Sequence, residues 1–333
     1  MATNVNDAFT VFRRDSVDLD PDQVTLARAS RDDLQQQITL LPSKARAFPA
    51  LSGRYVAAGA FARKTAIQPL DDIDVFVIMR GGGMTARATP DTSGIYHLDP
   101  GSTPSPLSHL TDTDRNISST RVLDTFKRAL QQVASYETAD ITRDGAAVRL
   151  KLVTSPWYFD LVPAVDVIAG PGGVGFFLMP NGQGAYRRAD PQKDSDAASL
   201  ANQQHHELLL PLIRLIRYWN KRPGCPTLPE YYLETIALKS FAFYVPLTNL
   251  PEGLKTFFQQ APGALWAPCP DPKGFGPPLD QEINWQTKHQ VISAMQHAAH
   301  TAQRALRADH QGHTSAALNA WRHLFGSAFP LYG

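Results

Sequence analysis

The segment Gly59-Ala60-Phe61-Ala62-Arg63-Lys64-Thr65-Ala66-Ile67-Gln68-Pro69-Leu70-Asp71-Asp72-Ile73-Asp74-Val75-Phe76-Val77 decides how this chain is read. Residues 54–60 are short, apolar and end at glycine, as a buried strand would. Residues 73–79 alternate and are rich in β-formers, the strongest strand signal in the chain, and Gly81-Gly82-Gly83 ends them. Between the two strands lie a tight glycine turn and a short helical stretch. Asp72 and Asp74 stand two apart where the second strand opens. Strand side chains alternate faces, so both carboxylates point the same way. Side by side they repel unless a cation sits between them. Mg²⁺ suits such a pair, because it takes one or two carboxylates with waters and substrate phosphates. Gly59 has no Cβ, so backbone N–H groups at the turn can come close to a phosphate. An isolated Asp-x-Asp is usually a solvated strand end. The upstream glycine turn and the flanking apolar residues favour the functional reading here.

Two-metal phosphoryl transfer needs a third carboxylate, one ion serving the attacking hydroxyl and the other the triphosphate. Asp160 is the best candidate. It sits in the apolar run Phe159-Asp160-Leu161-Val162-Pro163-Ala164, where a bare charge is costly unless paired or metal-bound. Asp166 is the rival, on the same face if Pro163 does not break the register.

Further out, Asp20-Pro21 reads as an N-cap and first helical position, with the helix running to about Leu41 before Pro42 stops it. Residues 84–117 form a long loop or insertion, with a short hairpin near residues 95–98, and a helix follows over 119–135. Residues 146–154 and 157–168 read as strands. From residue 195 the pattern turns helical: 204–221, with Pro211 marking a start or kink, then 230–245, 285–308 and 314–325. An α/β half therefore precedes a mostly helical half, joined near 190–200.

With 333 residues, 43% of them apolar and 19% charged, the chain is an ordinary globular protein of about two domains. The 26 prolines predict many ordered loops. A net charge of +1 excludes bulk coating of nucleic acid and predicts no stable DNA binding. Only Cys225 and Cys269 are cysteines, so a disulfide framework and a four-thiolate zinc site are excluded, and a reducing cytoplasm is expected. No apolar run reaches a membrane span, and the N-terminus has no secretory h-region. Gly170-x-Gly172-x-x-Gly175 spells a dinucleotide fingerprint, but residues 176–180 read as strand or loop, and the motif needs a helix there.

Glycine with a small neighbour, eleven residues, Asp-x-Asp and a later strand Asp resemble the DNA polymerase β-type nucleotidyltransferase superfamily. The stretch 59–77, Phe-Asp-Leu-Val-Pro-Ala at 159–164, and Pro180-Asn181 before Asp190-Pro191 resemble the bacterial CD-NTases (cGAS/DncV-like nucleotidyltransferases). Leu212–Trp219 and Tyr231-Tyr232-Leu233-Glu234 resemble helices of oligoadenylate synthetases, and Trp321-x-x-x-Phe325-Gly326-x-x-Phe329-Pro330 is similar to CD-NTase C-termini. The resemblance spans nearly the whole chain.

It implies an α+β fold: a polymerase β-type nucleotidyltransferase core with a mixed sheet, over residues 1–195, packed on a C-terminal helical lobe, 196–333. The N-terminal helix would bridge both lobes and the active site would lie in the cleft between them. Asp72 and Asp74 would bind two Mg²⁺ (or Mn²⁺) ions, and Asp160 would bind one of them and assist deprotonation of the acceptor hydroxyl. Backbone at Gly59 and Ala60 would hold the donor triphosphate. Arg217 falls at the family's triphosphate-binding cation. With Arg214 and Lys221 it makes a basic stripe at i, i+3 and i+7. Tyr231 falls where the family stacks an aromatic on a base. The implied reaction joins NTPs, ATP and/or GTP, into a cyclic di- or trinucleotide with release of pyrophosphate. The product would be a second messenger in anti-phage defence, read by a separate effector, with a regulatory or conjugating partner protein. A linear-oligonucleotide or macromolecule-modifying transferase, or an inactive nucleotide-binding protein, are the alternatives. Ala60 departs from the family's serine, which removes a hydroxyl contact worth roughly 1.5–3 kcal/mol, or about ten- to a hundredfold in rate.

Overall fold

A computed structural model describes residues 2–45, 47–90, 94–101, 107–168, 175–242 and 247–333. The chain opens with α1 (Val5–Phe12), a wider turn over Arg13–Val17, and α2 (Pro21–Lys44). Asp20 caps α2 by accepting from the amides of Asp22 and Gln23. The helix does not stop at Pro42 but runs two residues past it. Proline there forfeits only its own N–H, and the amide of Ala45 still bonds Leu41.

β1 (Leu51–Ala58) leads through α3 (Gly59–Ala62) into β2 (Asp72–Met79). The expected hairpin is present as β3 (Thr85–Ala88) and β4 (Ile95–Asp99). It is followed by α4 (Ser119–Leu130), which ends short of 135. Then come β5 (Asp140–Asp144), β6 (Ala147–Lys151), β7 (Tyr158–Val167), β8 (Phe176–Pro180) and β9 (Tyr186–Ala189). β8 is a strand, so no helix opens after Gly175. Gly170 and Gly172 lie outside the described residues.

The nine strands form one mixed sheet, ordered β1-β2-β7-β8-β9-β4-β3, with β6 and β5 attached to β7. Among the described strands, only β2 and β7 run parallel; the other pairs are antiparallel. β7 is long enough for β6 to pair its first half and β8 its second. Pro163 does not interrupt it, since Val77 still faces Pro163. The odd residues of β2, from Ile73 to Met79, sink into the sheet's main core beneath α2 and α4. The even ones, Phe76 and Ile78, make a small apolar strip with Val162, Ala164 and Phe177 on the other face. Asp72 and Asp74 share that second face.

The helical half holds α5 (Pro191–Gln204), α6 (Leu209–Asn220), α7 (Glu230–Ser240), α8 (Leu250–Ala264), α9 (Trp285–His310) and α10 (Thr314–Phe325). Of the two readings of Pro211, start or kink, the start holds: α5 ends at Gln204 and α6 begins at Leu209. His206 and Glu207 take left-handed backbone, and Pro211 falls in the first turn of α6, where its missing N–H costs nothing. Residues 2–17 pack with this half, not with the sheet. Phe9 meets Trp321 and Phe329 edge-on at 5.0 and 5.1 Å, so the C-terminal aromatic motif is the seat of α1. By packing, then, the first residues of the expected 1–195 core lie across the division, and α2 returns the chain to the sheet. No described helix is long and apolar enough to cross a membrane.

Candidate active site

Register assembles the carboxylates. In the parallel pair, Asp74 stands opposite Asp160, with Asp72 two residues away on the same face. Asp166 is six residues further along β7, ~20 Å at ~3.3 Å per residue, and is paired with Arg54 at the surface. The three acids brought together are thus Asp72, Asp74 and Asp160.

Gly59 closes over them. Its φ is +69°, and a Cβ there would lie 1.7 Å from Asp74 Oδ2. The turn therefore passes against the carboxylate with no room for a side chain. Beyond it, Arg63 N bonds Gly59 O, and the amides of Thr65 and Ala66 both donate to Ala60 O. The first-turn amides of so short a helix have no partner within it. Ala60 itself is partly buried against the sheet's main core.

Asp72 and Asp74 are half-buried, and Asp160 is 7% exposed. Burial, then the neighbouring charges of Asp72 and Asp160, push the Asp74 carboxyl up from 3.8 to about 7. Burial and the charge of Asp160 also raise Asp72. Arg149 donates Nε to Asp160 Oδ1 at 2.8 Å and Nη2 to Oδ2 at 2.6 Å. Among the described residues, no three carboxylate, imidazole or thiolate groups converge closely enough to hold a cation as they stand. Both oxygens of Asp160 are turned to Arg149. The donor set nevertheless fits a hard divalent ion. It offers carboxylate oxygens only, two of them raised by burial and repulsion that a cation would relieve. Asp72 and Asp74 would hold the ions, with Asp160 completing the set.

The helical half does not present the expected open basic stripe. Arg217 is 4% exposed. Its Nη1 donates to Glu234 at 2.9 Å and Thr65 at 3.2 Å, and its Nη2 bonds Glu230. Arg63 donates to the same Glu234 at 2.9 Å, as does the Thr65 hydroxyl at 3.0 Å. Arg214 is taken by Asp18 at 2.7 Å, and Lys221 by Asp71 and Glu230. These cations fasten α6 and α7 to the turn after α3. The stripe was expected on a solvated face, but α6 buries that face against the sheet half. Lys221, 39% exposed beside Asp71, is the member of the stripe nearest open solvent at the carboxylates. Tyr231 donates its hydroxyl to Asp194 at 2.7 Å and accepts from Lys273 at 2.6 Å. Arg63 and Lys273 lie 5.3 and 4.7 Å from its ring centroid, so the ring carries cations.

Sequence reasoning missed Arg63, Thr65, Glu234, Arg149, Asp194 and Lys273. Glu234 had a readable signal, a charge inside the otherwise buried run Tyr232–Ala237. The others are ordinary polar residues until the lobes meet. Glu234→Gln is expected to cost ~3–5 kcal/mol, because two buried guanidiniums lose their shared carboxylate. Chemical denaturation reads this directly, and a loss under ~1 kcal/mol would show the network to be merely peripheral.

No protein-family model matches the chain. A probable cyclic nucleotide synthase of Bacillus cereus (strain VD146) is 31% identical over 332 residues, covering 99% of this chain and 99% of that protein. Two solved structures of CdnC from E. coli MS115-1 share the fold at 18% identity. One is a complex with HORMA-deltaN, with a TM-score of 0.68 and 97% of each chain covered. The other is CdnC with ATP, with a TM-score of 0.67, covering 97% of this chain and 98% of that one.

Proposed function

The chain belongs to the CD-NTase family of nucleotidyltransferases, and from that premise we propose that it joins NTPs into a cyclic di- or trinucleotide in a divalent-metal-dependent reaction. The observation that carries the reading is the cross-strand group Asp72, Asp74 and Asp160, with Gly59 packed against Asp74.

When bound, divalent ions supply charge neutralisation on the triphosphate and acidity at the acceptor hydroxyl. Asp72 and Asp74 hold the donor end of the site. The turn at Gly59 and Ala60 presents backbone amides to the triphosphate. Asp160 takes the proton from the attacking ribose hydroxyl. The new bond joins that oxygen to the α-phosphorus, the bond from the α-phosphorus to the bridging oxygen breaks, and pyrophosphate leaves. After one or two such joins, the free ribose hydroxyl of the linear product attacks the α-phosphorus of its own triphosphate, the bond to the bridging oxygen breaks, and a last pyrophosphate leaves as the ring closes. Lys221 is the cation offered to phosphate from the helical side, and a base stacking on Tyr231 has to displace Arg63 or Lys273 from the ring. Arg217 acts from within the Glu234 network, by holding the turn that carries Gly59.

ATP and GTP are the first substrates to try, the CdnC neighbour having been solved with ATP. That neighbour's complex with HORMA-deltaN makes a HORMA protein the first regulatory partner to test. The product would act in the cytoplasm on a separate effector in anti-phage signalling. The test is one reaction: purified protein with four labelled NTPs and Mg²⁺ or Mn²⁺, beside Asp72→Asn. A phosphatase-resistant product that disappears in Asp72→Asn, with a rate loss of at least ~10³-fold, is expected. Pyrophosphate release unchanged in that variant would overturn the reading.

A further inference from the structure

Arg149 on β6 stands directly opposite Asp160 on β7. Two of its nitrogens hold both oxygens of Asp160, at 2.8 and 2.6 Å. The third, Nη1, is held by Asp144 at 2.8 Å. The guanidinium also lies 5.3 Å from the centroid of the Tyr158 ring. Arginine is thus fixed on three sides, in the planar two-point geometry that carboxylates accept. A surface ion pair would leave both partners in water. Here the Asp160 side chain is only 10% exposed, and Asp72 is close enough for its charge to act on Arg149.

We propose that Arg149 is a latch on the resting site: by holding both oxygens of Asp160 it keeps the three carboxylates from collecting a divalent cation before nucleotide arrives. The inference rests on reading Asp72, Asp74 and Asp160 as the metal-holding group. In the nucleotide-free protein, an incoming cation has to take Asp160 from a bidentate partner and approach a fixed positive charge. A metal–nucleotide complex brings its own negative phosphates. These offset the repulsion and offer Arg149 another acceptor. Cation and nucleotide therefore enter together, and Arg149 is a positioning residue whose release readies Asp160 to receive the proton.

The experiment titrates Mn²⁺ alone into the nucleotide-free full-length protein and reads the free ion by electron paramagnetic resonance. Arg149→Met is expected to bind Mn²⁺ at least ~10-fold tighter than the unmodified protein. Its turnover with NTPs should fall ~10- to 100-fold, because the nucleotide phosphates lose Arg149 as a donor. Arg149→Lys keeps the charge but not the two-point hold, so its Mn²⁺ affinity should fall between the original and that of Arg149→Met. Adding Asp160→Asn to Arg149→Met should erase the gain. Arg149→Gln removes the charge while keeping a polar side chain on β6 and should tighten Mn²⁺ about two- to threefold. It carries the test if Arg149→Met melts early. Unchanged or weaker Mn²⁺ binding in folded Arg149→Met, or in Arg149→Gln where the first variant fails to fold, overturns the latch. The reading of function fails separately: a protein that forms no pyrophosphate with any NTP, yet binds Mn²⁺ more tightly in Arg149→Met, keeps the latch and loses the transferase.

Discussion

Gly59→Ala is expected to lower pyrophosphate release at least ~10³-fold while the protein still folds. Two separate features of one residue produce this. The backbone sits at φ +69°, a left-handed conformation that costs a side-chain-bearing residue ~1–2 kcal/mol. The new methyl would also lie 1.7 Å from Asp74 Oδ2 and 2.6 Å from its Cγ. That overlap is relieved only by moving Asp74 or by lifting the turn, and each movement strikes the site. Displacing a reacting group by about 1 Å is enough to cost ~10²-fold. Lifting the turn withdraws the backbone amides from the triphosphate, worth ~10²–10³-fold for a single donor. Gly59 belongs to none of the apolar cores, so stability should change far less than rate. Thermal melting and a pyrophosphate assay on the same preparation separate the two. Activity within tenfold of the original would mean that the turn does not serve the reaction.

Asp74→Asn is expected to move activity and stability in opposite directions. The rate should fall by ~10³-fold or more, because a metal-holding carboxylate becomes a weaker neutral ligand. The metal-free protein should become more stable at neutral pH. In the folded chain, burial and the charges of Asp72 and Asp160 hold Asp74 at about 7, against an ordinary 3.8. A group raised in this way contributes stability fully below its unfolded value, and that contribution is lost as pH rises through the folded value. Metal-free wild-type protein should therefore lose stability between about pH 4 and pH 7, by on the order of 2–4 kcal/mol from this group. Asparagine cannot ionise, so the variant should lack that part of the slope and be the more stable protein above pH 7. A divalent cation should restore wild type and leave the variant nearly unmoved. Denaturation midpoints across this range, with and without Mg²⁺, decide it. A variant that melts below wild type at pH 8 in chelator would show that the Asp74 charge is not under strain.

The carboxylate site was largely legible because it is built on local rules. Period-2 alternation places Asp72 and Asp74 on one face, and an apolar strand makes the charge of Asp160 conspicuous. Gly59 could be singled out because only a residue without Cβ fits so tight a turn. The helical side was read less well. Arg214, Arg217 and Lys221 do share one face of α6, but a stripe of cations looks the same whether water or carboxylates answer it. The place of the break, at His206 and Glu207, escaped because glutamate is not a usual carrier of left-handed backbone and a single histidine is weak punctuation. Asn202 helps to hold it, accepting from the amide of Leu210 at 2.9 Å. The seating of α1 on Trp321, Phe325 and Phe329 joins the two ends of the chain, a pairing that no local pattern encodes.

By itself the sequence determined the strand–turn–strand unit, the face shared by Asp72 and Asp74, the candidacy of Asp160 and the helical second half. Each follows from neighbours a few residues apart, through backbone geometry and hydrophobic period. Only the tertiary structure decided that Asp160 rather than Asp166 faces Asp74, because that depends on the register of a parallel pair more than eighty residues apart in the chain. It also decided that Arg149 holds Asp160, and that Arg217 is bound to Glu234 and not free for phosphate. A charge acquires its role from the opposite charge brought to it, and folding brings those partners from distant parts of the chain.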